Sequence, residues 1–176
     1  MKPVIALIGG VASGKSAVAR AMQRRGACVV DADTAGHEVL HDAAVKAEIA
    51  QAFGHEVFVN SDVDRAKLAA KVFSDAALLA TLNAITHPRI RQLTQARIEA
   101  GLTDTSCAAV VLDVSLLLES GAYEGKYSLL VFVDATLDIR EQRAMASRGW
   151  PKGEVARRQA NQLSLEIKKS RADVVI

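Results

Sequence analysis

The chain has 176 residues, half of them hydrophobic and 24% charged, a balance that excludes a disordered or fibrous protein and allows one compact folding unit with an insertion. Aromatic residues make up 4% and the formal net charge is +2, so neither a stacking platform for single-stranded nucleic acid nor a DNA-coating surface is indicated, and no nucleic-acid partner is expected. The first apolar run is too short for a signal peptide and no stretch reaches the ~18 apolar residues of a membrane span, so a cytoplasmic protein without a membrane partner is expected.

Pro3 to Ile8 is a continuous apolar run, the pattern of a strand buried on both faces of a parallel sheet. Behind it comes Gly9-Gly10-Val11-Ala12-Ser13-Gly14-Lys15-Ser16, which fits G-x-x-x-x-G-K-[ST] and leads into a helix over Ser16 to Arg25, closed by Gly26. Strand, glycine-rich turn and helix in that order read as a phosphate-binding loop. Its backbone amides are expected to cradle a polyphosphate with Val11, Ala12, Ser13, Gly14, Lys15, Ser16 and Ala17 as the binding residues. Lys15 supplies the mobile cation, and the Ser16 hydroxyl offers a ligand to Mg²⁺ beside the positive end of the helix dipole.

Ala27 to Asp31 is a second apolar run, and a helix between two such runs predicts a right-handed βαβ unit with parallel strands. The second strand therefore delivers Asp31-Ala32-Asp33 to the edge where open α/β sheets bind ligands, although a plain turn-forming pair of acids has the same look. Cys28 and Cys107 match no metal spacing and lie beside strand-like runs, so buried reduced thiols are expected and a disulfide is not.

From Thr34 to Leu102 the apolar period is helical. Segments at Val45 to Phe53, Arg65 to Phe73, Ala76 to Ile85 and Pro88 to Ala100 are separated by breaks at Gly54, Asn60-Ser61-Asp62 and His87-Pro88. This predicts an all-α insertion between the second and third strands. Ala108 to Val114 returns to strand character and ends on Asp113, a carboxylate suited to hold Mg²⁺ through water beside the loop, or else an ordinary turn residue at a strand end. Leu116 to Glu119 starts a short helix and Leu129 to Asp134 is a fourth strand.

Thr136 to Ser170 reads as two basic helices broken at Gly149-Trp150-Pro151. Nine Lys or Arg against three Glu between Arg140 and Arg171 is more lopsided than a solvated helix face usually is. A lid closing over phosphates explains the bias, with Arg140 or Arg143 reaching the transferring group; a basic exposed hairpin is the alternative. Asp173 to Ile176 begins a fifth strand.

These features predict an ATP-dependent small-molecule kinase, in which Lys15, the lid arginines and Mg²⁺ are expected to neutralise charge and Asp33 to accept the proton of the acceptor hydroxyl. A nucleotide switch would carry a guanine-reading Asn-Lys-x-Asp after the fourth strand, and Val133-Asp134-Ala135-Thr136 offers none. A kinase for another small molecule or a nucleoside monophosphate, and a nucleotide-binding but inactive relative, stay open as alternatives.

Taken together the motifs resemble the dephospho-coenzyme A kinase family over essentially the whole chain. The matching positions are the phosphate loop, Val30-Asp31-Ala32-Asp33, Phe53-Gly54, Asp64-Arg65, Val72-Phe73, His87-Pro88, Leu116-Leu117 with Glu119, Gln142-Arg143, Gln162 and Ala172 to Ile176. The resemblance implies an α/β, three-layer P-loop kinase fold with a five-stranded parallel sheet, a helical substrate-binding insertion and a helical lid. It implies a nucleotide-binding core over 1–34 with 103–135 and 171–176, the insertion over 35–102 and the lid over 136–170. Its substrates are ATP and dephospho-coenzyme A, with Mg²⁺, and Asp33, His87 and Glu119 become substrate-binding positions. The family's loop commonly carries glycine where Ala12 stands, so Ala12 is expected to adopt a backbone that glycine adopts more easily.

Overall fold

The computed structural model describes residues 2–73 and 75–176. The chain divides into two compact units, one made of Met1–Asp31 with Arg97–Ile176 and the other of Ala32–Ala96.

In the first unit the elements are β1 (Val4–Gly9), α1 (Lys15–Gln23) and β2 (Ala27–Asp31), then, after the second unit, β5 (Ala109–Asp113), α6 (Leu117–Ser120), β6 (Leu129–Val133), α7 (Leu137–Arg148), α8 (Glu154–Gln159), α9 (Leu165–Arg171) and β7 (Val174–Val175). The strands form one sheet in the order β2-β5-β1-β6-β7, parallel at every pairing. The third strand to enter from this unit thus slots between the first two. That order follows from chemistry as well as topology, because the unbroken apolar run of β1 can only be satisfied in a central position, covered on both faces. Leu7, Val111 and Val131 pack with Ala19 of α1 on one face. On the other, Gly101 near the end of the long helix comes so close to Val110 that an added Cβ would stand 2.8 Å from its Cγ2.

The second unit holds α2 (Ala32–Glu38), α3 (Ala43–Phe53), β3 (Phe58–Val59), β4 (Asp62–Val63), α4 (Arg65–Val72) and most of α5 (Ala76–Thr103), which runs on into the first unit. Val45, Ile49 and Phe53 recur every fourth residue along α3 and are buried with Val57, Leu68 and Val72. Asp42 and Asp64 cap α3 and α4, each accepting two backbone N–H groups that the helix start leaves without partners.

Four expectations change. The insertion is not wholly helical: Asn60-Ser61-Asp62 belongs to a small antiparallel hairpin, with φ of +49° at Asn60 and +65° at Ser61, the pair of left-handed residues a type I′ turn needs. The break at His87-Pro88 is absent, and α5 carries Pro88 inside it. Proline in a helix interior costs about 3 kcal/mol, and packing of Leu78, Leu79, Leu82 and Ile85 before it and burial of Ile98 after it hold both halves in line. The basic segment makes three helices, since Ser164 accepts the Ile167 N–H and starts α9 anew. Finally, Cys28 and Cys107 are joined as a disulfide with their Cα atoms 5.5 Å apart. The pairing of β2 with β5 and the bond from Ala108 N–H to Gly26 O bring together two thiols 79 residues apart, a proximity no local spacing announces.

Candidate active site

The loop between β1 and α1 is bent by two left-handed residues. Gly14, directly before α1, has φ +104°, a value L side chains rarely adopt, and a Cβ there would lie 3.0 Å from Arg143 Nη1. Ala12 has φ +61° and carries a Cβ in that region all the same. Between them Ser13 is buried, with its N–H on Gly10 O.

Register brings the acids to the same edge. Asp113 pairs with Leu7 on one side and with Asp31 on the other, so both strand-ending carboxylates stand in line at the C-terminal ends of β5 and β2. Ser16 Oγ donates to Asp113 Oδ2 at 3.1 Å, and Asp113 is 8% exposed. A hydroxyl and a carboxylate side by side form an all-oxygen donor set, the kind magnesium takes.

Seven of the nine basic residues of the last helices fall into two groups. Arg157 and Arg158 both bind Glu154 at 2.7 Å and hold its carboxyl down at about 2; Lys169 binds Asp134; Lys168 is buried against Glu119. These are engaged within the protein. Arg140, Arg143 and Arg148 face the loop instead. Arg143 Nη1 donates to Ser13 O at 2.6 Å and Arg140 Nη1 to Val11 O at 3.4 Å. A cavity of about 490 Å³ opens over Lys15, Ser16, Arg20, Arg143 and Arg148, four of them cations beside a ring of backbone amides.

Glu119 accepts from Lys168 Nζ at 2.8 Å and from the Leu163 N–H at 3.1 Å, tying α6 to α9 and the turn before it. Burial pushes its carboxyl up, and the Lys168 ammonium more than reverses this, leaving it below the usual range. Asp33 and His87 belong to the second unit: Asp33 lies exposed in the first turn of α2 and His87 exposed midway along α5. Sequence reasoning missed Gln159, the last residue of α8, whose Oε1 accepts the Val11 N–H at 3.0 Å. Nothing in the local pattern of α8 signals a contact with a loop 148 positions earlier in the chain.

A parallel sheet with a phosphate loop after its central strand, a hydroxyl–carboxylate pair and a cluster of cations over the loop define a P-loop kinase. The sequence profile of dephospho-CoA kinase matches residues 3–176. The dephospho-CoA kinase of Deinococcus radiodurans is 43% identical over 172 residues, covering 98% of this chain and 82% of that one. Among solved structures, TT1252 from Thermus thermophilus superposes with a TM-score of 0.83 at 32% identity, covering 99% of this chain and 87% of its own. The dephospho-CoA kinase from Campylobacter jejuni gives 0.74 at 25% identity over all of this chain and 88% of that one. The chain belongs to the dephospho-CoA kinase family. Among the described residues no helix is long and apolar enough to cross a membrane.

Proposed function

We propose that this protein transfers the terminal phosphoryl group of ATP to the ribose 3′-hydroxyl of dephospho-coenzyme A, giving coenzyme A and ADP. The observation that carries the reading is the Ser16–Asp113 contact under a loop whose backbone turns at Ala12 and Gly14, beneath a cluster of arginines and Lys15. Phosphoryl transfer asks for positioning and charge neutralisation more than covalent help. The amides of Val11 to Ala17 take the phosphates, and Lys15 offsets charge on the β- and γ-phosphates. Arg143, now on Ser13 O, has a donor fork that phosphate oxygens fit better than a single carbonyl does. Ser16 and Asp113 would hold a magnesium ion, which would neutralise charge on the β- and γ-phosphates.

Asp33 is the residue proposed to accept the acceptor hydroxyl's proton, and His87 and Glu119 to contact the acceptor. The core, helical insertion and lid over 1–34 with 103–135 and 171–176, 35–102 and 136–170 are proposed as the working parts. The helical unit contains an open cavity of about 630 Å³ with Glu38, His41, Asp42, Arg89 and Gln92 in its wall, room and polar groups of both kinds for part of a nucleotide-like acceptor. A coupled ADP-release assay with dephospho-coenzyme A beside shikimate, gluconate and nucleoside monophosphates tests the assignment. Turnover of another acceptor in preference to dephospho-coenzyme A would reject it.

A further inference from the structure

The Val11 N–H is closed off by the protein itself. It donates to Gln159 Oε1 at 3.0 Å, and Arg140 Nη1 donates to the same oxygen at 3.3 Å. A backbone amide and a guanidinium converging on one acceptor make a seat suited to an anionic oxygen. The carboxamide fills that seat in shape but brings no charge. Arg140 is 5% exposed, its other contact is Val11 O at 3.4 Å, and its Nε has no partner among the described residues. A cation that deep ordinarily rests against a carboxylate or a phosphate. Burial holds the guanidinium below the usual arginine range, and the carboxylates of Asp134 and Glu141 act on it through space while neither hydrogen-bonds it among the described residues. Gly10 makes room for the arrangement, since a Cβ on it would meet Arg140 Nη1 at 2.7 Å and Gln159 Oε1 at 3.1 Å.

We propose that the Gln159 side-chain oxygen is a placeholder for an oxygen of the nucleotide's terminal phosphoryl group, held between the Val11 N–H and Arg140, and that triphosphate binding exchanges one for the other. The inference rests on the kinase reading above. The amides at the start of α1, beside Lys15, suit the β-phosphate. Val11 lies on the opposite shoulder of the loop, next to the end of β1, which leaves it for the outermost group. Gln159 is a positioning residue: it keeps Arg140 and the loop crown in register while the seat waits, and it opposes any ligand that must displace it. Because Gln159 ends α8, exchange requires movement of a side chain and one helix end rather than of the sheet.

The test is calorimetric titration of the full chain with a non-hydrolysable ATP analogue and, separately, with ADP, in the absence of acceptor. Gln159→Leu removes the oxygen with its two contacts in the free protein, and also the Nε2 bond to Leu163 O at 3.4 Å, while the triphosphate complex keeps its own contacts to the Val11 N–H and Arg140. The analogue should bind roughly five-fold tighter, the worth of about one neutral hydrogen bond, with ADP unchanged. Gln159→Glu puts a carboxylate between the same donors, and the analogue should bind roughly ten-fold weaker while ADP shifts much less. A merely structural glutamine would give losses of the same sign in both variants and for both ligands. Thermal melts establish that each variant folds, and Gln159→Met makes the same prediction if the leucine variant does not. Unchanged affinities, weakening in both variants, or equal shifts for ADP and analogue overturn the assignment. A parent protein that binds neither nucleotide refutes the kinase reading and this one with it, whereas a binding parent with unresponsive variants refutes only the role of Gln159.

Discussion

Glu119 and Lys168 are unequal partners, and the inequality fixes what happens when either is removed. The Lys168 side chain is 2% exposed and that of Glu119 18%, with 2.8 Å between Nζ and Oε1. In Glu119→Gln the ammonium stays buried, with Gln162 Oε1 at 2.8 Å and a neutral amide as its only company. Stranding a buried charge costs about 3–5 kcal/mol, and the retained Gln162 bond sets the expectation at the low end, about 3 kcal/mol. Lys168→Met removes the deeper charge and leaves a carboxylate that still accepts the Leu163 N–H and reaches water, a cost of about 1–2 kcal/mol. The double variant has no stranded charge and should lie within about 1–2 kcal/mol of the parent, because a buried pair is often replaceable by uncharged groups of similar volume. Urea unfolding of the four proteins therefore predicts a coupling of about 2 kcal/mol or more. The pH dependence has a definite sign. Glu119 in the fold sits below the ordinary value of 4.5, so its stabilisation is full above that value and is lost as pH falls through the folded one. The parent should lose stability below about pH 4.5 more steeply than Glu119→Gln does. Additive single variants, or equal costs for the two, would refute the reasoning. An unchanged stability in Glu119→Gln together with a raised acceptor KM would leave the proposed acceptor contact as the residue's role and remove the structural one.

Lys15→Ala should abolish detectable transfer in the coupled assay, since no other side chain of the loop itself carries positive charge; turnover at the parent rate would remove the loop from the chemistry. Asp33→Asn should lower kcat by roughly 10²–10⁴ with nucleotide affinity little changed, whereas Asp31→Asn costs less. A collapse of Mg²⁺-dependent nucleotide binding in Asp33→Asn would make it a metal-site residue instead. At Ala12, where φ is +61°, a β-branched side chain is a steric outlier. Ala12→Val should lower stability by about 1–2 kcal/mol and weaken ATP binding in thermal melts with and without nucleotide. Ala12→Gly should leave both nearly unchanged, as relief of strain is offset by the added freedom of the unfolded chain.

The parts of this protein that could be read from residues are those whose physics is local or nearest-neighbour. The apolar runs of β1, β2, β5 and β6, the glycine signature before Lys15 and the fourfold period of α3 each declare themselves within a dozen residues. Asp113 could be placed because strand ends are fixed by the strand, and its contact with Ser16 follows once β5 inserts beside β1. The failures have an equally physical source. Pro88 reads as a helix stop, and only the packing of distant apolar groups on either side of it keeps α5 whole. Asn60 and Ser61 read as a loop, and whether a loop becomes a hairpin depends on Phe58 and Val63 pairing across it.

Charge shows the limit most clearly. Nine basic residues could be counted, but their number does not say which are already neutralised, and the answer lies in acids far off in sequence or close by in space: Glu119 for Lys168, Asp134 for Lys169, Glu154 for Arg157 and Arg158. Subtracting those four leaves five, of which Arg140, Arg143 and Arg148 stand beside the phosphate loop, and of these Arg140 is buried with neutral oxygens as its direct partners. A buried cation held by carbonyl and carboxamide oxygens is stable enough to fold and still better satisfied by an anion. The imbalance that composition shows only as a surplus of arginine thus becomes, once the internal pairs are removed, a set of cations beside the phosphate loop, and the proposed seat at Val11 is where the deepest of them would meet an anion.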